Sequence, residues 1–182
     1  MATAHWDIDP VHSSINFWVR HLMVSKVHGR FHDWKGTLEL DDADPSKSRI
    51  EVTIVAKSID TRDEKRDAHL RSPDFLDADN HPNITFKSTA IEKKGDDRLL
   101  VTGDLAIHGT TRPVTLDVEM GGRAKDPWGG ERTGFSATTA IDRKDYGLQW
   151  NMALETGGVL VGDKVNITIE VEAVKQAAKA AG

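Results

Sequence analysis

With eight histidines and no cysteine in the chain, the chemistry open to it is narrow from the start. Disulfides, thiolate metal sites and thiol nucleophiles are all excluded. His28 and His32 stand four apart, a spacing that pairs two ligands on a helix. Their neighbours Val27, Gly29 and Phe31 alternate as a strand does, which takes that geometry away. No HExxH is present, and no metal is expected. Ser13 and Ser14 lie in a strand, without a Gly-x-Ser-x-Gly elbow, so no catalytic residue is assigned. Neither GxGxxG nor GxxxxGK[ST] occurs, which leaves a nucleotide fold without support and no cofactor expected. Asn83-Ile84-Thr85 and Asn166-Ile167-Thr168 match the glycosylation pattern, which has no weight without an export signal. The polar residues of interest are those whose strand parity turns them inward: His21, Ser88, Thr139 and Arg143. Arg143 ends a strand of otherwise apolar inward residues, where a guanidinium could hold an acidic head group. The alternative for it is a structural ion pair with Asp74, Asp142 or Asp145.

The elements that carry these residues announce themselves by alternation. In Lys164–Ala173, the residues Val165, Ile167, Ile169, Val171 and Ala173 point one way and the polar residues the other. Ile15, Phe17, Val19 and His21 share a face, and Val27, Gly29 and Phe31 continue inward. The parity then slips to Trp34, Gly36, Leu38 and Leu40, which predicts a one-residue β-bulge near His32-Asp33. Further strands place Ile50, Val52 and Ile54; Ile84 and Phe86; Leu99, Val101, Gly103, Leu105 and Ile107; Val114, Leu116 and Val118; and Phe135, Ala137, Thr139 and Ile141 inward. With a short first strand at Trp6 and Ile8, the count is about eight or nine. Short turns without a βαβ rhythm predict an antiparallel meander, and so many strands in one sheet curl or close. Small inward residues such as Gly103 and Ala137 leave room in the lumen; a packed barrel or sandwich is the alternative.

Two long connections interrupt the pattern. Between Asp60 and Asn83, Thr61-Arg62-Asp63-Glu64 reads as a capping box with Thr61 as N-cap, opening a helix that runs to about Ser72. Ala68, Leu70 and His69 are expected to face the barrel, and Lys65 and Arg66 the solvent. Between Asp145 and Asp163 the loop is apolar (Tyr146, Leu148, Trp150, Met152, Leu154, Val159, Leu160, Val161) and must cover something. Both connections are read as caps over barrel openings. The chain is one domain, residues 5–174, followed by a frayed tail, 175–182.

The charge balance, 24 basic against 29 acidic residues for a net −5, offers no general attraction for nucleic acid. No apolar run approaches the ~20 residues of a membrane-spanning helix. The first residues lack a basic segment followed by an apolar one, so the default location is cytoplasmic. A removed signal peptide would look the same and would make the location periplasmic.

Several runs together resemble the YceI-like polyisoprenoid-binding proteins. They begin with Trp6-x-Ile8-Asp9-x-x-His12-Ser13-x-Ile15-x-Phe17-x-Val19-x-His21, then Val27-x-Gly29-x-Phe31 and Ser58-Ile59-Asp60-Thr61. Arg66-Asp67-x-His69-Leu70-Arg71-Ser72-x-Asp74-Phe75-Leu76-Asp77 and Pro82-x-Ile84-x-Phe86-x-Ser88-Thr89 follow. Thr102-Gly103-Asp104-Leu105-x-Ile107-x-Gly109, Gly134-Phe135-x-Ala137 and Ile141-x-Arg143-x-Asp145-x-Gly147 complete the set. The resemblance implies an all-β fold: an extended antiparallel lipocalin-like β-barrel of about eight strands, with a short capping helix and an apolar capping loop. It also implies a tunnel that holds an isoprenoid or other long-chain amphiphilic lipid, of quinone or polyprenyl phosphate type. Members are regarded as binders and not enzymes, many are exported to the periplasm, and a homodimer is in keeping with the family.

On this reading the tail would contact Phe17, Val19, Phe31, Trp34, Ile54, Phe75, Phe86, Leu105, Phe135, Ile141 and Ile167, and the head group His21 and Arg143. Burying one CH₂ contributes ~0.8 kcal/mol, so two or three five-carbon units exceed the ~8 kcal/mol of micromolar affinity before ordering costs. A bilayer solvates the same tail equally well, so a polar head contact and transient membrane contact would govern exchange. Two other readings stand beside this one. One is an enzyme acting on a buried amphiphile with His21 or His69 as acid/base. The other is an interaction module with a filled barrel, using Trp18 or Trp128 as a contact.

Overall fold

The computed structural model describes residues 3–155 and 158–177. Its strands are β1 (Ala4–Ile8), β2 (Ser14–His21), β3 (Ser25–Phe31), β4 (Trp34–Leu40), β5 (Arg49–Val55) and β6 (Ile59–Asp60). After the single helix α1 (Glu64–Arg71) come β7 (Asn83–Lys93), β8 (Arg98–Ile107), β9 (Thr110–Lys125), β10 (Glu131–Asp142) and β11 (Lys164–Lys175). All pairings are antiparallel, in the order β1-β4-β5-β7-β8-β9-β10-β11-β2-β3-β6, and β1 pairs back onto β11.

The eleven segments form a closed barrel of eight staves, because three staves are broken. β11 pairs with β2 through Asn166–Glu170 and with β1 through Ala173–Lys175, so β1 and β2 are two halves of one edge. The break between them is local chemistry. Pro10 has no N–H to give a ladder, and Asp9 caps the 3-10 turn Pro10–His12, its carboxylate accepting from Val11 N. The facing stave breaks as well: β2 pairs with β3, and β1 with β4. The parity slip at His32-Asp33 is therefore real, but its cause is a two-residue interruption between separate strands and not a one-residue bulge. True register shifts lie at Ser88/Ala90 and Thr133/Phe135.

α1 differs from expectation at its start. Its N-cap is Asp63, whose carboxylate accepts from Arg66 N at 3.1 Å. Thr61 instead reaches across the helix. Its N–H (2.9 Å) and hydroxyl (2.5 Å) both donate to Asp67 Oδ1, a buried carboxylate that anchors α1 to β6. Ala68 is exposed, while Leu70 packs on the core as expected.

The second connection opens with a 3-10 turn, Arg143–Tyr146, closed by Gly147 at φ 78°. Tyr146 and Leu148 are buried, an Ala153–Val159 bridge makes a small hairpin, and Val161 bridges to His21. Of the expected tail, Lys175 ends β11, and Gln176 is tied to β1 through His5 O (2.8 Å) and Asp7 Oδ1 (2.7 Å). Residues 178–182 lie outside the described residues. Among the described residues no helix is long and apolar enough to cross a membrane.

Candidate functional site

The inward faces do not meet in the middle. They enclose a cavity of about 610 Å³, within the ~300–1,000 Å³ usual for ligand pockets. At ~24 cal/mol per Å³, a packing void of that size would cost on the order of 15 kcal/mol, the whole stability of an ordinary domain. It is a receptacle and not a flaw in the core, which disposes of the filled-barrel reading.

All eleven residues proposed for the tail line this cavity: Phe17, Val19, Phe31, Trp34, Ile54, Phe75, Phe86, Leu105, Phe135, Ile141 and Ile167. Strand parity brings them together from eight strands and, through Phe75, from the α1–β7 connection. Gly103 makes its room indirectly. A Cβ there would lie 2.5 Å from Phe86 Cζ, so the missing side chain lets the Phe86 ring lie flat on the wall. A separate apolar cluster of Trp6, Leu38 and Ala173 packs against lining residues Ile8, Leu40, Ile50, Phe135 and Val171.

The polar groups on the inward faces are largely spoken for. Ser88 Oγ accepts from Ile50 N (2.9 Å), and Thr139 Oγ1 donates to Thr115 O (2.9 Å). Arg143 lies at the cavity wall only 3 % exposed, but its donors point into the cap. Nε–H donates to Gly162 O (2.9 Å), Nη1 to Leu148 O (2.5 Å) and Trp150 O (2.9 Å), and Nη2 to Val161 O (3.3 Å). Its nearest carboxylate is Asp163, at 3.7 Å, and not Asp74, Asp142 or Asp145. Burial pushes the guanidinium pKa down, and Asp163 and Asp142 pull it back. With those donors taken by carbonyls, Arg143 clamps the cap hairpin from its place at the cavity wall. His21 does line the cavity, and its side chain makes no hydrogen bond among the described residues.

The polar end of the cavity has members that strand parity could not find. Lys65, Arg66, His69, Thr61 and Asp63 join Arg20 and His21 at its wall. Lys65 is exposed, as its place on α1 predicts, and still borders the cavity, whereas Arg66 is half-buried and not solvated. Arg66 folds over Thr61 instead, Nε donating to Oγ1 and Nη2 to the carbonyl, both at 2.7 Å, which leaves Nη1 unengaged among the described residues. The available sign was α1 itself, too polar to be covering a closed core. His69 stands edge-on to Phe75 (5.0 Å) and Trp150 (4.6 Å), joining α1 to the apolar cap, and its Nε2 lies 2.8 Å from an Asp74 oxygen.

The rim is apolar. Leu22, Met23 and Val24, in the β2–β3 turn, are exposed beside exposed Met152 and Val159 of the cap hairpin. Leu22 N donates to Leu160 O at 2.9 Å, and Met23 packs against Gly158. Behind this rim Trp18 is half-buried beneath Lys26 Nζ (4.3 Å) and the Arg20 guanidinium (5.5 Å), whereas Trp128 is exposed in the β9–β10 loop.

Comparison with known proteins follows this geometry. The sequence profile of the YceI-like domain matches residues 6–173. Protein YceI of Escherichia coli is 40 % identical over 170 residues, 93 % of this chain and 85 % of that protein. The crystal structure of a Campylobacter jejuni YCEI protein superposes with a TM-score of 0.74 at 34 % identity, covering 87 % of this chain and 90 % of that one. A polyisoprenoid binding domain from Saccharophagus degradans has the same fold, with a TM-score of 0.65 at 14 % identity over 94 % of this chain and 98 % of the other.

Proposed function

The chain belongs to the YceI-like family, and from that membership we propose that it binds and carries an isoprenoid or other long-chain amphiphilic lipid in its barrel, without chemistry of its own. The observation that carries this reading is the cavity: apolar along the staves, packed against an apolar cluster at the Trp6 end, and basic at the α1 end. The tail lies along Phe135, Ile141, Ile167 and their neighbours. The head group sits among Lys65, Arg66, His69 and His21, where a phosphate, carboxylate or quinone oxygen finds donors. The polyisoprenoid binding domain from Saccharophagus degradans, which shares this fold, supports the same class of ligand.

The rim explains exchange. A bilayer and the tunnel solvate a tail alike, so transfer is cheap only when the mouth meets the membrane and the tail never crosses water. Leu22, Met23, Val24, Met152 and Val159 give that contact its apolar face, with Arg20 and Lys26 beside it for anionic lipid head groups.

The test is organic extraction and mass spectrometry of the purified protein, followed by titration with geranylgeraniol and geranylgeranyl phosphate. We expect an extractable lipid and binding of both probes, the phosphate the tighter. The Lys65→Ala/Arg66→Ala double variant should erase that difference. Protein that yields no lipid and takes up neither probe would end the proposal. One observation favours a second reading, an enzyme on a buried amphiphile: the His69–Asp74 pair has a ring at the cavity wall. Turnover of a bound lipid lost in His69→Ala would establish it.

A further inference from the structure

Outside the polar end of the tunnel, the fold gathers Asp77, His81 and His108, with one ligand atom from each within 4.8 Å of the others. We propose that these three residues bind a divalent transition-metal ion, Zn²⁺ foremost, which clasps the α1–β7 connection to the β8–β9 turn.

The site is assembled by backbone devices on both sides. Asp77 begins a tight turn: its carbonyl accepts from Asn80 N (3.1 Å) and His81 N (2.8 Å), which folds His81 back beside it. Asp77 (φ 47°) and His108 (φ 54°) both hold the left-handed backbone that costs a residue with a Cβ. The two imidazoles lie close, their centroids 4.8 Å apart and their planes tilted by 59°. Gly109 makes this approach possible, since a Cβ there would sit 2.9 Å from His81 Cε1.

The outer contacts resemble those that orient metal ligands. A ligating histidine commonly gives its second ring nitrogen to a carbonyl. His108 Nδ1 lies 3.3 Å from Tyr146 O. The Asp77 carboxylate accepts from Asn80 Nδ2 at 3.0 and 3.2 Å, which orients it. Ligands at about 2.0–2.2 Å around a tetrahedral ion stand roughly 3.4 Å apart, a contraction that side-chain rotations of three half-buried residues can supply.

Two imidazoles and one carboxylate select Zn²⁺, Co²⁺, Ni²⁺ or Cu²⁺ over Mg²⁺ and Ca²⁺, which seek all-oxygen shells. Water completes the coordination. The other cluster of this kind, Asp9, His12 and Glu172, already has the Arg132 guanidinium between its carboxylates, at 3.0 and 2.8 Å. Two of the proposed ligands adjoin the tunnel wall in sequence: Leu76 precedes Asp77, and Ile107 precedes His108. A bound ion would therefore stiffen this end of the barrel.

The experiment uses the untagged full chain, treated with chelator and dialysed. Zn²⁺ is titrated by calorimetry and Co²⁺ by its visible absorption, and the melting temperature is recorded with and without Zn²⁺. We expect one ion per chain at micromolar affinity, cobalt bands of a low-coordinate nitrogen–oxygen site, and a higher melting temperature with Zn²⁺. His81→Gln and Asp77→Asn should each weaken binding by about tenfold or more, and His12→Gln should leave it unchanged. His81→Gln keeps side-chain bulk and leaves the strained turn at His108 untouched, so its effect is read on folded protein, which circular dichroism verifies. No saturable binding, or binding indifferent to His81→Gln and Asp77→Asn, would overturn the proposal.

Discussion

Asp9 stands where β1 gives way to the turn before β2, and three partners converge on its carboxylate. Val11 N (2.9 Å) and His12 Nδ1 (2.9 Å) hold it locally, and Arg132 Nη1 (3.0 Å) reaches it from β10. The His12 contact, against an opposing desolvation and with help from Arg132, lowers the Asp9 pKa from 3.8 to about 2. The same hydrogen bond raises His12 above 6.5. The depressed carboxylate contributes stability that is present above pH 3.8 and lost as pH falls toward 2. The raised imidazole contributes stability that is complete below pH 6.5 and lost as pH climbs through its higher folded value. The pair therefore supports the fold most between those limits. Asp9→Asn should flatten both limbs when melting temperature is followed from pH 2 to 8. An unchanged profile would mean that the pair is ornamental, as exposed ion pairs often are. Arg143 is a second lesson at this scale. Parity placed it inward correctly, but the carbonyls that occupy it belong to a loop with no periodicity to read.

Among the elements, the cap hairpin depends most on a single side chain. Arg143 supplies four hydrogen bonds, to Leu148, Trp150, Val161 and Gly162, in a connection with few ladder bonds among the described residues. Arg143→Met would leave several half-buried carbonyls without a donor, and should cost on the order of 3 kcal/mol. Urea denaturation measures that loss, and hydrogen exchange should show it concentrated over the cap. Arg143→Lys should recover only part, because an ammonium cannot span the same fork of acceptors. A Met variant as stable as the parent would refute the clamp. The helix makes a related point. A capping box at Thr61–Glu64 and a cap at Asp63 are both sound by residue type. Only the position of Asp67 over β6 drew Thr61 away from the cap and left that role to Asp63.

Taken whole, the molecule is a sheet closed around space. Ala137 lies in the wall, 6 % exposed, between lining residues of β9 and β11. Ala137→Trp should project an indole into the lumen, lowering affinity for a prenyl probe by more than about tenfold while leaving the melting temperature equal or higher. Enlarging a side chain toward existing space avoids the ~1–3 kcal/mol cost of overpacking a filled core. Calorimetric or fluorescence titration beside a thermal scan checks both halves, and undiminished binding would place the ligand elsewhere. What the sequence determined by itself was the face of each strand residue, because a period of two is written in neighbouring positions. From that came the barrel and the cavity-lining residues of its strands, though not Phe75, which lies in the α1–β7 connection. Tertiary structure alone decided which half-strand pairs with which, that Arg143 is occupied by the cap, that Lys65 and Arg66 reach the tunnel, and that Asp77, His81 and His108 meet. Each of these depends on the distance between residues remote in the chain or on helix and turn orientation. Alternation records a side, and never the neighbour waiting there.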